Sequence, residues 1–238
     1  TTRRPPFYWD NYPVNDGAMA RRLHIGPFHG REAGLHRYSA GLLANPMELF
    51  EASLLPLGTV GAYLWDTTGY DPFVAWDAVL ADLVPDDADR AAVRELFRNT
   101  LGLTGGWAPA FNTFLGASET ARRAGQPADA AALPRPHAEG NRASLAPIPR
   151  EDFCAPLLRV EIAPWLGKYA LGADVLDGIA TALELCTPNP DGGLDAPIAV
   201  RAALKELRAR LAADPVLVFG DGFDMLLFTM TTEIRFVD

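Results

Sequence analysis

Phe7-Tyr8-Trp9-Asp10-Asn11-Tyr12-Pro13-Val14-Asn15-Asp16 is a run of aromatics that ends in amides and carboxylates. Aromatic residues favour the pleated, half-buried surface of a strand, whereas Asn, Asp and Pro favour turns. The stretch therefore reads as a strand over 6–12 that runs out into a polar loop, where binding groups concentrate. Asp offers only acceptors, so two neighbouring hydroxyls can donate to it; Asn offers a donor and an acceptor. Trp9 and Tyr12 add ring faces against which a sugar ring or an acetyl group can pack. Such residues suit a sugar, but they also make ordinary turns, and on this stretch alone both readings stand.

Further along come Leu23-His24-Ile25-Gly26-Pro27-Phe28-His29-Gly30-Arg31, then Gly41-Leu42-Leu43-Ala44-Asn45-Pro46-Met47, then Tyr70-Asp71-Pro72-Phe73-Val74-Ala75-Trp76. A second short strand is expected over 22–26. This ordered set closely resembles glycoside hydrolase family 84, which holds β-N-acetylglucosaminidases, protein O-GlcNAcases and enzymes first called hyaluronidases. The first three blocks lie within residues 7–47 and the fourth ends at Trp76. Beyond it the likeness is looser and helical.

The resemblance implies a mainly α fold: the last β/α units of a (β/α)8 barrel, followed by a helical bundle. Active sites of such barrels are built from loops at the C-terminal ends of the strands. A whole barrel takes roughly 250 residues and only about 50 precede the helical part here, so the chain is expected to be cut within the barrel. The expected division is residues 1–58 as barrel segment and 59–238 as helical domain.

In this family two adjacent aspartates transfer the protons, and the substrate's own 2-acetamido oxygen is the nucleophile, an exception to the usual two-carboxylate scheme. The only Asp-Asp pair in the chain is Asp86-Asp87, between two helical patterns, where a helix cap belongs. No catalytic residue is therefore expected in this chain. The resemblance does carry sugar-binding roles: Asn11 and Asp16 as hydrogen-bonding partners of N-acetylglucosamine, Asp16 at its 4- and 6-hydroxyls, and Asn45 at further hydroxyls. Trp9 matches an aromatic at the N-acetyl methyl. Read from the residues alone, Trp9 also suits a core position, and Asn45 a turn or helix start before Pro46. Asp10 suits a cap or a loop-orienting role. The implied partner is a glycan or glycoprotein bearing N-acetylglucosamine; no cofactor is implied. The rival is a non-catalytic helical interaction module with a vestigial barrel remnant.

Composition bounds these readings. The chain has 238 residues, 49% of them hydrophobic, and a net charge of −9. It can bury a real core, and its acidity argues against nucleic acid and anionic membranes as partners. No apolar run approaches the roughly 18 residues of a membrane span. His24, His29, His36 and His137 are scattered, with no metal-ligand spacing; His24 and His29 flank a Gly-Pro turn and suit packing. Gly105-Gly106 and Gly192-Gly193 read as turns. The compartment is left open.

Helical patterns fill the rest. A helix is expected around 31–40 and another over 47–66, carrying Leu54, Leu57, Tyr63 and Leu64 and kinked at Pro56. Asp71-Pro72 is an N-cap and N1 pair, placing Phe73, Trp76, Leu80 and Leu83 on one face. Asp87 or Asp89 starts the next helix, with Val93, Leu96 and Phe97 inward. Residues 124–150 show no apolar period and are expected as a flexible loop. A long pattern over 151–186 carries Leu158, Ile162, Trp165, Tyr169, Leu176, Ile179 and Leu183. A last helix carries Val200, Leu204, Leu207 and Leu211, and 216–228 packs on the bundle. Cys154 and Cys186 sit near opposite ends of the long pattern; a straight helix of that length spans roughly 48 Å, so free thiols are expected.

Overall fold

The computed structural model describes residues 3–100, 109–219 and 222–237. The pair Gly105-Gly106 lies outside them. In chain order the elements are β1 (Phe7–Pro13), β2 (Gly41–Asn45), α1 (Phe50–Trp65), α2 (Pro72–Leu83), α3 (Asp87–Thr100), α4 (Pro109–Arg123), α5 (Pro127–Ala132) and α6 (Pro134–Leu145). They continue with α7 (Pro156–Glu184), β3 (Thr187–Pro188), β4 (Leu194–Pro197), α8 (Ile198–Ala213), α9 (Gly222–Glu233) and β5 (Arg235–Val237). The fold is mainly helical, with small sheets; no closed barrel is present among the described residues. Two compact units form, residues 1–97 with 147–163, and 98–146 with 164–238. The expected division at residue 58 falls inside α1.

In the first unit β1 and β2 run parallel, with Phe7 opposite Gly41 and Trp9 opposite Leu43. Residues 22–26 form no strand, contrary to expectation. Leu23 and Ile25 are buried there, and side chains take the carbonyls a ladder would have used. Asn15 donates to the Arg22 carbonyl (3.1 Å), Trp76 Nε1 to Ile25 (2.7 Å) and the Tyr12 hydroxyl to Gly26 (2.5 Å). Three of the segment's carbonyls are thus satisfied without strand pairing. Residues 31–40 make only a 3-10 turn, Leu35–Arg37. Gly34 sits inside that stretch, and so short a segment does not repay helix nucleation.

The helix α1 is present, but its inward face is Leu55, Thr59, Val60 and Tyr63, while Leu64 is exposed. The helix is apolar on nearly every side, so its period does not choose a face. Neighbours choose it: Thr59 Oγ1 accepts from Phe28 N (2.8 Å), and at Gly58 a Cβ would collide with Val79 of α2 at 2.7 Å. The start of α1 is satisfied from α7, where Glu161 accepts from Ala52 N (2.9 Å). Asp71 caps α2 by accepting from Phe73 N (2.9 Å) and Val74 N (3.0 Å). Trp76 and Leu80 are buried as expected, but Phe73 is half exposed.

Asp86 caps α3, accepting from Ala88 N (3.0 Å) and Asp89 N (2.9 Å). Val93, Leu96 and Phe97 face inward. Asp89 does something the sequence did not suggest. It is 1% exposed and anchors the segment before α7, accepting from Arg150 (2.8 Å) and Cys154 N (2.9 Å).

In the second unit the seven expected inward positions of α7 that it contains, or that lead into it, are all buried: Leu158 and Ile162 before Pro164, and Trp165, Tyr169, Leu176, Ile179 and Leu183 after it. Tyr169 is the centre. Its ring stacks on Phe219 (5.0 Å between centroids), its hydroxyl donates to Asn141 Oδ1 (3.1 Å), and Asn99 Nδ2 donates to it (3.0 Å). Lys168, also buried, donates its ammonium to the Leu211 and Asp214 carbonyls. Both carbonyls lie at the end of α8, where acceptors lack the full set of intrahelical donors. Residues 124–150 are not a loop but carry α5 and α6. Pro127 and Pro134 stand at first helical positions, where a missing N–H costs nothing. Val200, Leu204 and Leu211 of α8 are buried as expected, and Leu207 is partly buried.

Candidate functional site

The polar end of β1 is shaped by a break in its register. Phe7 to Asp10 pair with Gly41 to Ala44, and Pro13 then pairs with Asn45, so Asn11 and Tyr12 bulge out of the ladder. A bulge bends the strand and re-aims the side chains it carries. Tyr12 turns toward the core: its ring meets Phe28 at 6.1 Å, and its hydroxyl reaches the Gly26 carbonyl. Burial raises the Tyr12 pKa well above that of a free phenol, with smaller contributions from Tyr70 and Asp10, so the hydroxyl stays a donor. Asn11 is left exposed.

Around Asn11 three of the expected site residues meet. Its Oδ1 accepts from Trp9 Nε1 at 2.7 Å and from Asn45 Nδ2 at 3.3 Å. Asn45 comes from the end of β2, which the sequence reading did not recognise as a strand. Its backbone carbonyl accepts from Val14 N (2.8 Å), which ties the two strand ends together. Trp9 is 65% exposed and is not a core residue. Asp16 stands farther along, exposed, before the turn Gly17–Met19, and its side chain makes no capping bond. It is not part of the hydrogen-bonded trio.

Asp10 and Arg31 brace this end of the strand. Asp10 Oδ2 accepts from Arg31 Nε (3.0 Å) and Nη2 (2.5 Å), and the guanidinium lies over the Phe28 ring at 5.0 Å. Asp10 thus orients the loop. Sequence reasoning quoted Arg31 without giving it this role; its place beside Gly30 after an aromatic turn was the available signal. Behind the brace stands an aromatic cluster, Phe28, Tyr63 and Tyr70, with edge contacts of 5.3 and 5.5 Å. The Tyr63 hydroxyl donates to Glu32 O (2.7 Å) and the Tyr70 hydroxyl to Phe28 O (2.6 Å). Burial raises the pKa of both phenols. His24 Nδ1 meets the Val14 carbonyl at 2.7 Å and must carry the proton there; His29 is exposed.

Elsewhere, Asp86 and Asp87 serve α3 as described, Asp87 pairing with Arg90. Among the described residues no cluster of His, Cys, Asp or Glu could hold a metal ion, and no helix is long and apolar enough to cross a membrane. An apolar groove of about 500 Å³ runs between α7 and α8, lined by Gly178, Ala182, Leu185, Ala203 and Leu207. It contains none of the strand-end residues; its lining is mainly apolar, with Thr181, Glu206 and Arg210 as its polar members. Cys154 is exposed and Cys186 buried, both as free thiols; burial pushes the Cys186 thiol up to about 11.

Residues 1–98 match the family model for β-N-acetylglucosaminidase. A mutant of the O-GlcNAc hydrolase of Thermobaculum terrenum superposes with a TM-score of 0.80 at 26% identity, over 96% of this chain and 48% of that one. CpGH84B superposes with a TM-score of 0.74 at 15% identity, over 95% of this chain and 39% of that one. This chain spans less than half the length of either.

Proposed function

From this chain's membership of the glycoside hydrolase family 84-like β-N-acetylglucosaminidases, carried by residues 1–98, we propose that it supplies part of the sugar site of an enzyme releasing terminal β-linked N-acetylglucosamine. In this reading β1 and β2 are the last strands of a (β/α)8 barrel, and residues 59–238 are the helical domain that follows. The observation that carries it is the meeting of Trp9, Asn11 and Asn45 at the bulged end of β1.

The chemistry is the one the family resemblance implies. The substrate's acetamido oxygen attacks the anomeric carbon as the leaving-group oxygen is protonated, giving an oxazoline that water then opens with net retention. The proton transfers fall to an aspartate pair elsewhere in the full-length protein, since Asp86 and Asp87 are occupied in capping and pairing. The residues in hand hold the sugar. Asp16 accepts from the 4- and 6-hydroxyls; Asn11 and Asn45 bond further sugar oxygens; the Trp9 ring lies against the acetyl methyl. Groups built to bond hydroxyls discriminate strongly, because a ligand that lacks those hydroxyls leaves them unpaired.

The test is hydrolysis of an aryl β-N-acetylglucosaminide. The full-length protein is expected to turn it over. The 238-residue chain alone is expected to show none above a host-protein control, since each absent acid or base costs at least about 10²-fold in rate. Inactivity of the full-length protein would overturn the reading. It would favour the alternative, a non-catalytic interaction module, for which the exposed apolar side chains Trp65, Leu64 and Phe50 of α1 speak.

A further inference from the structure

We propose that Trp9 is a positioning residue: its indole N–H fixes which way round the Asn11 amide faces. The proposal rests on the sugar-binding reading of this strand end and adds to it how the site distinguishes donors from acceptors.

An indole N–H can only donate. The Asn11 atom 2.7 Å from Trp9 Nε1 is therefore the carbonyl oxygen. Asn45 Nδ2 points at the same oxygen, at 3.3 Å. Both lone pairs of Asn11 Oδ1 are thus engaged within the protein, and its Nδ2 group is left to present two hydrogens outward. The same logic runs on to Asn45. Because its Nδ2 faces Asn11, its Oδ1 is left as an acceptor. The two hydrogen-bonded amides so keep one donor group and one acceptor between them for a ligand. A hydroxyl satisfies both, accepting from Asn11 and donating to Asn45; an ether oxygen or a deoxy carbon does not.

A primary amide without such a partner has two orientations of nearly equal energy, related by a half-turn about its last bond. Asn11 and Asn45 alone could bond to each other either way round, each amide turned over. Only the donor-only indole selects one arrangement. The backbone supports it from below: the bulge between Asp10 and Pro13 takes Asn11 out of the ladder, and Arg31 holds Asp10 immediately before it. Trp9 is two-thirds exposed, so its ring is not needed to fill the core. This role is separate from any contact between its ring face and a ligand.

Two measurements on the full-length protein test the proposal. The first needs no ligand. Hydrogen exchange of the Trp9 indole proton, assigned by its loss in Trp9→Phe, should be slower than that of a free indole and should speed up in Asn11→Ala. An indole proton that exchanges freely in the wild type would overturn the lock. The second is a double-mutant cycle on N-acetylglucosamine binding with Trp9→Phe and Asn11→Ala. Trp9→Phe keeps an aromatic face and removes one donor, so it is expected to weaken binding by about 3- to 10-fold, the range for one neutral hydrogen bond. In the Asn11→Ala background it should have no further effect. A loss that persists at full size in that background means that Trp9 acts on the sugar directly, and the positioning role falls. A wild type with a protected indole proton that binds no N-acetylglucosamine would uphold the lock and overturn the sugar-binding function.

Discussion

Trp9 and Trp165 use the same side chain in opposite ways. Trp165, in the helical unit, is 4% exposed, and its indole N–H is buried with no hydrogen-bond partner among the described residues. Trp9, at the strand end, is 65% exposed, and its N–H is engaged at 2.7 Å by Asn11. In the helical unit a ring is worth its volume, even with a polar atom left unsatisfied, because apolar burial outweighs one unmade bond. At the strand end the volume goes unused and the polar atom is committed. One region is organised to be stable and the other to present groups.

The comparison can be broken first by stability. Tyr169→Ala should cost about 3–5 kcal/mol in denaturant unfolding, as large aromatic truncations in cores do, because it empties the space against Phe219 and removes the bonds its hydroxyl makes with Asn99 and Asn141. Trp9→Ala should stay within about 0.5 kcal/mol, as for an exposed site. Equal losses would show that the strand end is as structural as the bundle.

Activity should give the reverse ranking. In the full-length protein Asp16→Ala is expected to lower kcat/KM by about 10- to 100-fold, and Asn45→Ala by about 3- to 10-fold, since bonds to a charged acceptor are roughly twice as strong as neutral ones. Neither should move the unfolding midpoint appreciably. A larger kinetic loss at Asn45 would count against the role given to Asp16.

A smaller effect sharpens the boundary between the two kinds of region. Asp71→Ala removes two bonds to the first turn of α2 and should cost about 1 kcal/mol, with Asp71→Asn or Asp71→Ser recovering most of it. No recovery would mean that the carboxylate has some task besides capping. Last, and without effect on stability, thiol titration of the unfolded, unreduced protein should find two reactive groups. In the native protein Cys186 should react far more slowly than Cys154, because it is buried and its raised pKa leaves little thiolate at neutral pH. Rapid native labelling of Cys186 would show that the helical unit opens locally.

Much of the helical part was legible in advance. The inward positions of α3, α7 and α8 could be read because a helix with one apolar stripe states its own geometry every 3.6 residues. The caps at Asp71 and Asp86 were legible for a related reason: a cap acts on N–H groups two or three residues away. Legibility failed where a local signal had two meanings. Residues 124–150 lack an apolar period and suggest a loop, yet Pro127 and Pro134 there begin helices. The helix α1 was found and Tyr63 is buried as expected, but Leu64 is exposed, because apolar residues surround the helix.

The candidate site shows the same division. Trp9, Asn11, Asp16 and Asn45 could be named from the sequence because their order and neighbours resemble a family. That Trp9, Asn11 and Asn45 touch could not be read from sequence. Their contact depends on β2 pairing in parallel with β1 across a long connection, and on a register slip between Asp10 and Pro13. The sequence by itself determined which residues are present, the inward positions of α3, α7 and α8 and the caps that begin α2 and α3, since those are contests among neighbours along the chain. Only the tertiary structure decided the pairing of β1, the bulge and the burial of Asp89. Each of these is settled by a partner tens of residues away or by a backbone carbonyl that a side chain reached first.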